Sequence, residues 1–282
     1  MINGILLGGI YALCSAGFSL AFGVMGVVNL SHGDFLMVGA FITYWLFILT
    51  GMDPFLTLPF CIVGLFGLGF LLQRLALNRL VGAPPIMTYL LTFGFHLILA
   101  NAALRAWTAD YRNVNVSYAG ATFALGGLVL PYARVITFTL AMAINVGLYI
   151  LLYRTEVGRA IRATSQDREM ARLMGVRIFR IYTFTFGLAA AVTGLAGSLI
   201  SSTFIIYPQM GLPFTIIAFC VVVLGGVGYI PGTLWGGLIL GVLESLTTSY
   251  LPAGTSLALT FLLLLIMLSL RPGGILGKGK AG

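Results

Sequence analysis

Arg154-Thr155-Glu156-Val157-Gly158-Arg159-Ala160-Ile161-Arg162-Ala163-Thr164-Ser165-Gln166-Asp167-Arg168-Glu169-Met170-Ala171-Arg172-Leu173-Met174-Gly175-Val176-Arg177-Ile178-Phe179-Arg180 is the only polar stretch of any length in this chain. It carries seven arginines, and the runs on either side of it, 132–153 and 181–203, are apolar and about 20 residues long. A run of that length and character matches the hydrocarbon thickness of a bilayer. The charged stretch therefore reads as a loop between two transmembrane helices, held on the side where arginine accumulates. Further apolar runs occupy 4–24, 35–50, 55–73, 85–104, 213–229, 233–250 and 254–270. Turn chemistry separates them: Gly51-Met52-Asp53-Pro54, Gly82-Ala83-Pro84-Pro85, Pro208 to Pro213, Pro231-Gly232 and Pro252-Ala253-Gly254.

Composition agrees. Of 282 residues 60% are hydrophobic and 8% charged, against roughly 25% charged in a soluble domain. With a mean hydropathy of +1.07 the chain cannot cover a globule with polar surface, which excludes a soluble enzyme, a disordered protein and a nucleic-acid binder. The expectation is one all-α polytopic membrane domain over residues 1–282, in contact with lipid, with eight or nine transmembrane or partly spanning helices. The second and seventh runs are short, so one or both of them read as half-helices that do not fully cross. Met1-Ile2-Asn3 carries no basic residue, so the first run reads as a retained span. Cys14, Cys61 and Cys220 are odd in number and lie within apolar runs, which favours free buried thiols.

Charge sets the orientation. With 154–180 in the cytoplasm and the spans alternating outward from it, twelve basic residues fall inside and only Arg105, Arg112 and Arg134 outside. This puts the N-terminus outside and the C-terminus inside, and makes 105–130 the long external loop. Within the cytoplasmic loop, Thr164 or Ser165 can cap a helix of about 10 residues, with Asp167 and Glu169 in its first turn. Arg172 lies near its end and Gly175 supplies a left-handed stop. Ala163, Met170, Ala171 and Met174 share one side of that helix, and Arg162, Gln166, Glu169 and Leu173 another. A small apolar face on a charged helix suits docking into a partner's groove; the alternative is a solvated connector.

Inside the apolar runs the ionisable groups are His96 and Glu244, each costly in lipid. Glu244 reads as a structural pair with another helix before it reads as path lining, and His96, one turn from Asn101, as an interhelical contact. Asn145 and Gln209 could glue helices or line a path. Ser31, His32 and Asp34 form a polar turn ahead of the second run, where Asp34 can cap the next helix; gating at the cytoplasmic mouth, with Asn29, is the functional reading. A catalytic triad is rejected there, since adjacent residues do not reach triad geometry and no oxyanion element accompanies them. Two histidines without carboxylates at ligand spacing make no metal site. Gly4-x3-Gly8, Gly232-x3-Gly236 and Gly237-x3-Gly241 allow close helix contact, within the chain or between subunits. No Gly-x4-Gly-Lys-Ser/Thr occurs, so energy for any pumping must come from a partner or an ion gradient.

Glu169-Met170-Ala171-Arg172-Leu173-Met174-Gly175 is similar to the Glu-Ala-Ala-three-residues-Gly signature of ABC importer permeases, with one substitution. Gly23 to Phe35 resembles an Asn-aromatic-Ala-His-Gly segment, with Leu30 and Ser31 in place of the aromatic and alanine. Gly241-Val242-Leu243-Glu244-Ser245 and Arg271-Pro272-Gly273-Gly274-Ile275-Leu276-Gly277 resemble two C-terminal signatures. Together they resemble the shorter membrane subunit of branched-chain amino-acid (leucine/isoleucine/valine) ABC importers. The resemblance implies a translocation subunit with no cofactor of its own and no covalent chemistry. It also implies a homologous permease, two cytoplasmic ATPases that bind the ATP, an external solute-binding protein, and a place in the plasma (inner) membrane. In that family the 154–180 loop couples to the ATPase, which assigns Arg162, Gln166, Glu169, Met170, Ala171, Leu173, Met174 and Gly175 to the contact. Asn29, His32, Asp34, His96, Asn145 and Glu244 remain as gate or path residues. The rivals are a same-family permease for urea, short amides or other amino acids, an ion-coupled secondary transporter, and a membrane-embedded hydrolase.

Overall fold

The computed structural model describes residues 1–250 apart from 117, 119, 126 and 127, together with 255, 258, 259, 262, 265, 266 and 269. The basic C-terminal signature at 271–277 and most of the 254–270 run lie outside the described residues.

The described helices are α1 (Ile2–Met25), α2 (His32–Thr50), α3 (Leu58–Leu75), α4 (Pro85–Trp107), α5 (Tyr132–Arg154), α6 (Glu156–Gln166), α7 (Arg168–Leu173), α8 (Ile178–Ile200), α9 (Gly211–Gly225) and α10 (Ile230–Tyr250). Seven of the described helices are long and apolar enough to cross a membrane; α9 is shorter. Their bounds follow the punctuation of the sequence. Asp53 accepts the Phe55 N–H ahead of α3, prolines open α4, and Gly26 closes α1 in the left-handed region at φ 67°, which a Cβ would resist. The loop 105–130 holds one short hairpin, β1 (Thr122–Leu125) antiparallel to β2 (Leu128–Pro131), within an otherwise all-α fold.

Helices α1 and α8 are buried along almost their whole length and form the centre, while α3, α4 and α5 turn most of their apolar surface outward. Close packing at the centre depends on small residues. A Cβ on Gly4 or Gly8 would overlap the backbone of α10 at Gly241–Val242 and Gly237–Leu238, so these small-x3-small pairs serve packing within the chain.

Two helices begin inside the bundle. His32, the first residue of α2, lies against Cys14 and Gly17 at the middle of α1 and against Thr193 in the C-terminal half of α8. From Met25 at the end of α1, residues 26–31 therefore run back along the bundle without helix, over about 16 Å at 1.5 Å per helical residue of α1. Gly211, the first residue of α9, packs directly on Gly33 and Asp34. The 15 residues of α9 extend only about 22 Å, less than a bilayer's hydrocarbon. Non-helical backbone at such depth is tolerated only where protein covers it, and Asn29 and Ser31 are buried accordingly.

Candidate functional site: a buried helix junction and an exposed helix pair

At the junction each polar side chain has its own partner. The Asn29 carboxamide oxygen accepts the Ser31 N–H at 3.0 Å and the Ser31 hydroxyl at 2.8 Å, turning the chain into α2. His32 is fully enclosed, its Nε2 3.0 Å from the Cys14 carbonyl oxygen and 3.2 Å from the Thr193 hydroxyl. The Gly33 N–H donates to Thr215 of α9 at 2.8 Å. Asp34 does not cap α2. Its carboxylate reaches α4, where the His96 Nδ1–H lies 2.9 Å from Oδ2 and 3.1 Å from Oδ1. Turned toward His96, the carboxyl is not available to the first N–H groups of α2. Ser31, His32 and Asp34 thus point in three directions, and no triad forms.

His96 meets Asp34 and not Asn101, which donates to Leu97 in its own helix. Asn145 likewise donates to Ala141 within α5 and does not reach the junction, and Gln209 is exposed. Glu244, toward the other end of the bundle, accepts the Tyr11 hydroxyl of α1 at 2.7 Å. The junction partners Thr193 and Thr215 escaped the sequence reading, because threonine in an apolar run carries no signal until its neighbour is known.

The polar stretch 154–180 folds as two short helices in place of the single one expected. Asp167 is the cap of α7, its Oδ1 accepting the N–H groups of Glu169 and Met170 at 2.9 and 3.0 Å. Thr164 and Ser165 instead donate back into α6, to Ala160 and Arg162. Gly175 closes the unit at φ 86°. Arg162 folds onto the end of α5, its guanidinium 4.7 Å from the Tyr153 ring centre and bonded to the Leu152 carbonyl, and so leaves the outer face. Ala171 also turns inward: only 5% exposed, it packs in the chain's own core and does not face outward as expected. What α7 presents is Met170, Leu173 and Met174, exposed by 61%, 78% and 85%, flanked by exposed Glu169 and Gln166.

The far side is tied down by Arg112. Its backbone exchanges hydrogen bonds with Ile206, and its guanidinium lies 5.3 and 5.4 Å from the ring centres of Tyr44 and Trp45 at the end of α2. Tyr118 donates to Asp53 at 2.7 Å, and burial with that carboxylate beside it raises the phenol's pKa. The long loop is thereby fastened both to α2 and to the segment that leads into α9.

Residues 1–270 match the family described as the permease component of the branched-chain amino acid transport system. The chain is 29% identical to the high-affinity branched-chain amino acid transport system permease protein BraD of Pseudomonas aeruginosa, with 99% of this chain and 95% of the relative covered. It is 29% identical to LivH of Escherichia coli K12, with coverage of 99% and 94%. A probable branched-chain amino acid transport permease protein of Methanocaldococcus jannaschii is also 29% identical, with coverage of 97% and 90%. No solved structure matches the chain. With seven described helices able to cross a membrane and the family matched over residues 1–270, the chain belongs to the branched-chain amino acid transport system permease family, as a multi-pass translocation subunit of the inner membrane.

Proposed function

We propose that this chain translocates branched-chain amino acids in an ATP-driven importer, paired with a homologous permease and served by two cytoplasmic ATPases and an external solute-binding protein. ATP is bound by those ATPases and not by this chain. The observation that carries the reading is the outer face of α7: three large apolar side chains held in solvent on a capped, arginine-rich unit. Such side chains gain about 1.5–3 kcal/mol each when buried, so a groove on another protein is their natural destination. The twelve-to-three distribution of basic residues supports a cytoplasmic position for this unit, with the N-terminus outside and the C-terminus inside.

In this reading the ATPases close on nucleotide and move α6 and α7 as a unit. α6 packs on α1, α5 and α8, and α1 and α8 carry the groups that hold His32. A shift at the cytoplasmic end therefore reaches the place where α2 and α9 begin, and Asp34–His96 is the contact that opens or holds. On the outside, the Arg112 strap gives a docked binding protein a connection to the same two helices. Access alternates by this rigid-body rocking, with no bond made or broken in the substrate.

The test is purification of the chain from native membranes followed by reconstitution. The expected result is that ATPases and a second permease come with it, and that leucine uptake needs ATP on the cytoplasmic face and survives an uncoupler. Uptake that follows a proton or sodium gradient without any ATPase would overturn the reading.

A further inference from the structure

Opposite the α6–α7 end, helices α1, α5 and α10 and the segment after α8 line a half-open cleft of about 220 Å3. Leu6, Leu7, Ile10 and Phe204 supply apolar wall. Two opposite charges line the same space, Arg134 at the start of α5 and Glu244 of α10. They are not paired with each other. Among the described residues Arg134 makes no ion pair, and Glu244 uses one carboxylate oxygen on Tyr11 and leaves the other free.

An unpaired cation and anion against one apolar wall are unfavourable unless water or an occupant satisfies both. A simple cation would leave Arg134 unanswered, and a simple anion would leave Glu244. A zwitterion answers both at once. Its ammonium can take the free oxygen of Glu244, and its carboxylate the planar fork of Arg134. The part of the wall formed by Leu6, Leu7, Ile10 and Phe204 accepts an aliphatic side chain and penalises a charged one, beside the uncharged polar groups of Asn3, Thr203, Ser245 and Thr248.

We propose that this cleft is a receiving site for a zwitterionic α-amino acid with an apolar side chain, held by Glu244 and Arg134. The proposal rests on the importer reading and adds to it the residues that hold the substrate. An aminophospholipid headgroup carries the same pair of charges, so the test separates the two sources.

Thr248 lines the cleft, whereas Cys14, Cys61 and Cys220 are all buried, so Thr248→Cys adds one reactive thiol. Maleimide alkylation of this variant is followed in the co-purified transporter, in nanodiscs of phosphatidylcholine alone and of phosphatidylcholine with phosphatidylethanolamine. Millimolar L-leucine is expected to slow alkylation about threefold, as 1 + [L]/Kd gives at twice the Kd. Leucinamide, which lacks the carboxylate, and 4-methylpentanoate, which lacks the ammonium, are expected to protect little. Arg134→Gln and Glu244→Gln should each remove leucine protection, and Arg134→Lys should keep part of it. Retention of the ATPases by each variant on gel filtration reports an intact fold. Leucine protection that persists in both Gln variants overturns the proposal. So does slow alkylation confined to the phosphatidylethanolamine discs and insensitive to leucine, which assigns the cleft to lipid. Absence of protection alongside intact ATP-driven leucine uptake overturns this site and leaves the importer reading standing; loss of the ATPases and of ATP-driven uptake overturns the importer reading itself.

Discussion

Replacing Leu173 and Met174 together by alanine isolates the outer face of α7. Both side chains are more than three-quarters exposed, so the chain itself gains almost nothing from them and its stability should change by no more than about 0.5 kcal/mol. The cap at Asp167 and the turn at Gly175 are untouched. If an ATPase groove buries these side chains, truncating each to alanine forfeits about 1–2 kcal/mol, or roughly 2–4 kcal/mol for the pair. At 1.4 kcal/mol per tenfold, binding should weaken roughly 30- to 1000-fold. The assay is equilibrium binding of the purified ATPases to the permease in nanodiscs, run beside thermal unfolding and ATP-driven uptake. Weak binding at an unchanged unfolding midpoint is the expected result. Parental affinity in the double variant would make 154–180 a solvated connector. Ala171→Asp is a poorer probe than the sequence suggests: its side chain faces the chain's own core, where an unpaired charge costs several kcal/mol, so it should lower the unfolding midpoint as well.

Gly175→Val should reduce uptake at normal membrane abundance, because a Cβ there meets no atom within 4 Å while φ 86° costs roughly 1 kcal/mol or more; wild-type transport would dismiss the turn. His96→Ala leaves the Asp34 carboxylate buried without its partner and should destabilise by about 3–5 kcal/mol, read as a fall in the unfolding midpoint in detergent; an unchanged midpoint would show that the pair carries no load. Gly33→Ala would drive a Cβ into the Gly211 carbonyl and should lower the amount of folded protein by overpacking, at about 1–3 kcal/mol, while Gly94→Ala, with open space around it, should be silent by the same immunoblot. A single reactive cysteine at Asn115 should label with an impermeant thiol reagent in intact cells and one at Gln166 should not, both sites being exposed; the reverse pattern would invert the topology.

The helices were legible because lipid imposes a strong rule on sequence. Every backbone group must be satisfied within the segment, so each span must be a long apolar run, and each of the eight runs before residue 250 became a helix with ends moved by a few residues. The short seventh run became the short α9, and Gly175 took its positive φ, both from local chemistry alone. The hairpin at 122–131 was missed although its signal stands in the sequence, two short apolar runs on either side of Gly126-Gly127.

Local sequence also determined which residues are polar inside the bilayer, but not whom they meet. Asp34 and His96 are 62 positions apart, and Gly33 and Thr215 are 182 apart. Only the crossing of α2, α4 and α9 made them partners. Facing was likewise a tertiary matter. Ala171 and Met174 share a side on a helical wheel, yet α7 ends after six residues, and packing on the core turned one inward and left the other in solvent. The depth at which α2 begins was decided in the same way, since a helix start is a local signal whereas its level in the bilayer depends on the neighbours that bury the chain leading to it.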